Sequence, residues 1–147
     1  MSNDLKFIQV LLIEDDPQDV EITKEVMELS KMKININVVN NGAEALSYMR
    51  RENGYRESIR PDLILLDLNM PKMNGREFLD EIKKDDNFKM IPVVVLTTSK
   101  ADEDIIKSYK LGASCYITKP VGLDQFQEVV QAVDNFWFTV VKYPPKP

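Results

Sequence analysis

Short apolar runs alternate along this chain with stretches whose hydrophobic residues recur at helical spacing, the pattern of repeated βα units built on a parallel sheet. The runs 10–13 (Val, Leu, Leu, Ile), 63–66 (Leu, Ile, Leu, Leu) and 93–96 (Val, Val, Val, Leu) read as buried strands. Residues 34–39 alternate Ile and Val with Asn35 and Asn37, which predicts an edge strand polar on one side, and 115–118 supplies a fifth strand. Pro17 suits the first turn of a helix that Asp15 or Asp16 can cap, and Ile22, Val26 and Leu29 fall at helical spacing along it. Asn41 and Gly42 turn the chain into a second helix from Ala43 to Arg51. Pro71 and Gly75 bracket a tight loop before a third helix striped by Phe78, Leu79 and Ile82. Ile105, Ile106 and Tyr109 predict a short fourth helix that stops at Gly112. The last helix is the longest, with Leu123, Phe126, Val129, Val130, Val133, Phe136 and Trp137 on one broad apolar face. Pro144, Pro145 and Pro147 cannot continue it, because proline lacks the amide donor. Residues 52–61 are polar and rich in turn formers, so a surface contact loop is expected there.

With 147 residues, 44% of them hydrophobic, the chain can bury one real core but not two. A net charge of −5 without a dense Lys/Arg cluster argues against direct nucleic-acid binding. The single cysteine, Cys115, sits in an apolar segment and suits a buried small hydrophobe in a reducing compartment. No apolar stretch approaches the roughly 18 to 20 residues needed to span a bilayer, so no membrane contact and a cytoplasmic location are expected.

The chemistry collects at the ends of the strands. Glu14, Asp15 and Asp16 follow the first; Asp67 closes the third; Thr97, Thr98 and Ser99 end the fourth; and Lys119 and Pro120 follow the fifth. Seen singly, an acidic pair after a strand is an ordinary helix cap, a strand-end threonine fits the pleat, and Lys-Pro is a turn. Together they put acids, hydroxyls and an amine on one rim. In a parallel sheet that rim is one crevice, able to hold a divalent cation and a phosphoryl group around Asp67.

At these residues the chain closely resembles the receiver domain of two-component response regulators, from about Val10 to Val133. The acidic Glu14 and Asp15, the aspartate in the run 65–71 (Leu, Leu, Asp67, Leu, Asn, Met, Pro), Thr97 and Lys119-Pro120 agree with the family in type, order and spacing. The resemblance implies a doubly wound, flavodoxin-like α/β fold with a five-stranded parallel sheet in the order 2-1-3-4-5. Residues 1–147 would form one receiver domain, extended from about 135 to 147 by an aromatic, proline-rich segment. Asp67 would take a phosphoryl group from a sensor histidine kinase. Mg²⁺ or Mn²⁺ would be held by Asp15, Asp67 and the backbone carbonyl of Asn69, with Glu14 acting through water, because a carboxylate approaching a phosphoryl anion beside other acids needs its repulsion cancelled. Lys119 and Thr97 would bind phosphoryl oxygens, and Tyr116 would swing between outward and inward rotamers as the threonine moves. The expected product is a phosphoacceptor signalling protein that takes part in its own phosphotransfer and dephosphorylation, not an enzyme.

Three departures from the family pattern stand out. Thr98 replaces a smaller residue and narrows access to the phosphoryl pocket, Asn69 and Ser99 flank that pocket, and Asn74-Gly75 replaces a more usual Asp-Gly. The Arg/Tyr loop and the Phe-Trp-Phe end look most like the stand-alone receivers paired with cyanobacterial-type phytochromes. A Mg²⁺-dependent aspartyl-phosphate phosphohydrolase is the enzymatic alternative, but it needs a second aspartate where Asn69 stands. A flavodoxin-like cofactor carrier needs a small-residue phosphate loop where Glu14 to Pro17 lie, and an unphosphorylated scaffold gives the acid, Thr and Lys set no purpose. Phe136, Trp137 and Phe138 are consecutive, so they cannot all face one sheet; with Tyr143 they are expected to form a homodimer contact, the alternative being that Pro144 and Pro145 turn the tail back to cover them within one monomer.

Overall fold

Five strands lie parallel in one sheet, ordered β2-β1-β3-β4-β5. They are β1 (Ile8–Ile13), β2 (Ile34–Val39), β3 (Leu63–Asp67), β4 (Val93–Thr97) and β5 (Cys115–Thr118). The computed structural model describes residues 7–30, 33–68, 74–97, 112–113, 115–119 and 122–135, with the side chains of 97, 115, 116, 118 and 133–135 outside that description. Between the strands run helices α1 (Pro17–Leu29), α2 (Gly42–Arg50), α3 (Gly75–Lys83) and α4 (Leu123–Asn135). Contacts pair α1 with α4 and α2 with α3, so the sheet is covered on two faces. The short helix expected through Ile105, Ile106 and Tyr109 lies outside the described residues.

Each helix start has a local cause. Asp16 takes the cap of α1, its side chain accepting from the Gln18 amide at 2.9 Å, and this leaves the Asp15 carboxylate uncommitted to capping. Asn41 caps α2 by accepting from the Glu44 amide, so the helix begins at Gly42, one residue before the expected start. Arg51, expected inside it, is left-handed at φ 58 and terminates it. Asn74 and Glu77 form a reciprocal capping box on α3. Here an asparagine caps as an aspartate would, since either side-chain oxygen can accept.

The all-apolar runs are the core. Every residue of β3 is buried, and Phe78, Leu79 and Ile82 of α3 pack against it from one face. Phe126 and Val130 of α4 are buried on the other, with Leu123 and Val129 half-buried beside them. Each fully buried side chain of this size contributes about 1.5–3 kcal/mol. The α1 pattern needs correction. Of Ile22, Val26 and Leu29 only Val26 is buried; Ile22 and Leu29 are 38% and 67% exposed, while Thr23 and Met27 face inward. The helix turns its 23-26-27 edge to the sheet, a rotation that apolar spacing alone does not decide. β2 is indeed an edge strand, half-buried from Ile34 to Val38. The loop after α2 is pinned inward: Tyr55 packs edge-on against Tyr48 at 5.4 Å and donates to Glu44 Oε1, and Tyr48 in turn donates to the Ile59 carbonyl. Among the described residues no helix is long and apolar enough to cross a membrane.

Candidate functional site

The strand order reverses at β1, with β2 on one side and β3 on the other, and the chemistry sits at that switch point. Ile13 pairs with Leu66, so one step further along each strand stand Glu14 and Asp67, side by side. Both are buried, at 1% and 6% exposure, whereas Asp15 is exposed. Carboxylate oxygens of Glu14, Asp15 and Asp67 lie within 4.8 Å of one another. Glu14 is held from both sides of its own turn, its amide donating to the Val39 carbonyl and its Oε2 accepting from the Asp16 amide at 3.3 Å.

Thr97 pairs with Thr118 in the β4–β5 register, so Lys119 emerges beside the end of β4. β5 lies two strands from β3, roughly 10 Å away, and a side chain with a four-carbon stem is suited to that reach. The Lys119 ammonium arrives among three carboxylates: Glu14 Oε1 at 2.6 Å, Asp19 Oδ2 at 2.8 Å and Asp67 Oδ2 at 3.4 Å. Burial alone would lower its pKa, but the bonds to Asp19 and Glu14 and the charges of Asp67 and Glu14 outweigh that, and the net shift is upward. Lys119 stays an ammonium. Burial pushes the Glu14 carboxyl up to about 7, Asp67 pushes it the same way, and Lys119 opposes both.

Three carboxyl groups, Glu14, Asp19 and Asp67, therefore face one ammonium, and Asp15 joins Glu14 and Asp67 in an acidic trio. The acidic trio has hard oxygen donors, excess negative charge and one exposed member, the donor set that suits Mg²⁺ or Mn²⁺ rather than a soft metal. On the far side of Asp67, Gly75 opens α3 with its amide donating to the Leu68 carbonyl. A Cβ at Gly75 would stand 2.5 Å from the Asp67 carbonyl oxygen and 2.7 Å from Leu68 Cα, so only glycine lets the helix start this close to the strand.

Of the residues anticipated from sequence, Glu14, Asp15, Asp67 and Lys119 come together. Thr97 and Tyr116 are placed by their backbones at the ends of β4 and in β5, Tyr116 pairing with Val95. Their side chains, and Asn69, Thr98, Phe136, Trp137, Phe138 and Tyr143, lie outside the described part. Two contributors were missed. Asp19 was legible only as a first-turn acid four residues after Asp15, and the closeness of Gly75 depends on how α3 meets β3.

The chain is similar to known proteins over most of its length. The response regulator Rcp1 of Synechocystis sp. is 42% identical over 135 residues, which cover 92% of each chain. The crystal structure of the phosphorylated cyanobacterial phytochrome response regulator RcpA matches with a TM-score of 0.77 at 42% identity, covering 97% of this chain and 99% of that one. The Mn²⁺-bound form of Rcp1 matches with a TM-score of 0.74 at 41% identity, over 93% and 99% of the two chains. The family model described as the response regulator receiver domain matches residues 10–131. A strand-end aspartate flanked by an acidic pair and a lysine on a 2-1-3-4-5 sheet thus has its explanation in descent: the chain belongs to the response regulator receiver family.

Proposed function

We propose that this chain is a phosphorylation switch in which Asp67 accepts a phosphoryl group from the phosphohistidine of a sensor kinase of the phytochrome type. The observation that carries the reading is the buried Asp67 carboxylate, grouped with Glu14 and Asp15 and 3.4 Å from the Lys119 ammonium. A carboxylate oxygen of Asp67 forms a bond to phosphorus as the P–N bond to imidazole breaks, and the imidazole leaves with the electron pair of that bond. Asp15, Asp67 and the Asn69 carbonyl would hold Mg²⁺ or Mn²⁺, with Glu14 acting through water, and the ion would supply positive charge that neutralises the transferring group. Lys119 donates to one phosphoryl oxygen and Thr97 to another, while Thr98 restricts the approach of donor and water. Tyr116 follows Thr97, so the new charge on Asp67 is converted into a change of surface around β5.

The relatives named for phytochromes support the choice of kinase, and the aromatic residues Phe136, Trp137, Phe138 and Tyr143 support a homodimer through the C-terminal segment. The match over residues 10–131 supports reading 1–147 as one receiver domain with an extension from about 135. The test is phosphotransfer from a labelled phytochrome kinase, or from acetyl phosphate, with Mg²⁺. The wild type should gain one phosphoryl group and Asp67→Asn none; a fully labelled Asp67→Asn overturns the assignment. Sedimentation of the same samples reads the dimer, which a monomer at every micromolar concentration rules out.

A further inference from the structure

The three oxygens around the Lys119 ammonium do not belong to one group. Glu14 and Asp67 are members of the acidic trio, whereas Asp19 stands outside it, on the first turn of α1. An ammonium 2.6 Å from Glu14 and 3.4 Å from Asp67 competes with any divalent cation for the same oxygens, and the two cations repel each other at such separations. Asp19 offers the ammonium a partner at 2.8 Å that the cation does not need. The Lys119 side chain is only 8% exposed, so water is a poor substitute for that partner.

We infer that Asp19 is a positioning residue: it is the counter-ion that draws Lys119 off Glu14 and Asp67 when the cation binds, and so tunes the metal affinity of a site to which it contributes no ligand. The inference presupposes the metal-binding reading of the acidic trio given above. It also identifies what the phosphoryl group must displace, since Lys119 can leave Asp19 for a phosphoryl oxygen only by giving up the 2.8 Å pair. Asp19 thereby gives the lysine a resting place between the empty and the phosphorylated states.

The test is a thermodynamic cycle on Mg²⁺ affinity, read by isothermal titration on the full chain. Asp19→Asn should weaken Mg²⁺ binding about fivefold, the scale of one partly shielded charge pair. In a Lys119→Gln background the same substitution should change the dissociation constant by less than about twofold, because no ammonium remains to be drawn away. Equal weakening in both backgrounds would mean that Asp19 acts only as a distant negative charge, and unchanged affinity in the first would mean that it does not hold the lysine; either overturns the inference. If the double variant does not fold, Asp19→Glu decides: it keeps the carboxylate and should bind Mg²⁺ within about twofold of wild type, and a value as weak as Asp19→Asn overturns the inference. A wild type that binds no Mg²⁺ would instead defeat the metal reading itself, so the two failures are distinct.

Discussion

Two partly or wholly buried lysines, at opposite ends of the sheet, solve the same problem in opposite ways. Lys83, at the end of α3, donates to the carbonyls of Lys89 and Ile91, both at 2.9 Å. Nothing there can exchange, since a carbonyl keeps its place as long as the backbone does, and burial lowers the pKa of this ammonium. Lys119 is held by carboxylates instead, and its pKa is raised in spite of burial. Its partners are side chains that a cation or a phosphoryl group can claim. The neighbourhoods differ in the same sense. At the Lys83 end Arg60 donates to the Asn87 carbonyl and Asp62 accepts from the Gln9 amide, each fastening side chain to backbone. A lysine bonded to main chain is a staple; a lysine bonded to acids is poised to change partners.

The strongest break in this comparison comes from removing each ammonium in turn. Lys119→Met leaves Glu14 and Asp67 buried without a counter-charge, so in EDTA it should cost about 3 kcal/mol, and Mg²⁺ should restore most of that by replacing the lost positive charge. Urea unfolding with and without Mg²⁺ measures both; a loss that Mg²⁺ does not touch would deny that Lys119 and the cation share partners. Gly75→Ala comes next. The new Cβ meets the Asp67 carbonyl and Leu68 Cα, backbone atoms that cannot step aside, so a cost of about 2 kcal/mol is expected. The shift displaces the strand end that carries Asp67, so phosphorylation by acetyl phosphate should slow as well, and wild-type stability and labelling together would show that the close approach is unimportant.

Lys83→Met should cost only about 1 kcal/mol, the net worth of its hydrogen bonds to two carbonyls. It should do so equally with and without Mg²⁺ and leave phosphorylation intact; a Mg²⁺-dependent loss would erase the contrast between the two lysines. The smallest effect is in pH. A lysine whose folded pKa is lowered binds its proton less well when folded than when unfolded, so wild-type stability relative to Lys83→Met should rise as the pH climbs from the lowered folded value toward the ordinary 10.5. Denaturant midpoints of both proteins across the alkaline range give the sign, and a falling difference would contradict it.

The parallel sheet was legible because strands buried on both faces must be apolar throughout, and 10–13, 63–66 and 93–96 are. The same rule made Asp67 conspicuous, since an acid at the end of such a run has no packing purpose. Helix phase was less legible. Ile22 and Leu29 are as hydrophobic as Val26 and Met27, yet they face outward, because which edge of α1 meets the sheet depends on the angle at which the helix crosses it. The caps were read in kind but not in position: both Asp15 and Asp16 could cap α1, and only the backbone turn assigned Asp16 to the helix and left Asp15 to the acidic trio.

By itself, then, the order of residues determined which groups reach the rim of the sheet, because period and burial force each run into a strand and each strand ends where its apolar residues stop. Tertiary structure alone decided who faces whom there. Register set Glu14 beside Asp67, the reach of a long side chain brought Lys119 across the end of β4, and the placement of α1 put Asp19 on the far side of the ammonium. Lys119 and Asp19 are 100 positions apart and Lys119 and Glu14 still further, and contacts at such separation are fixed by packing of the whole sheet and its helices, not by any local pattern.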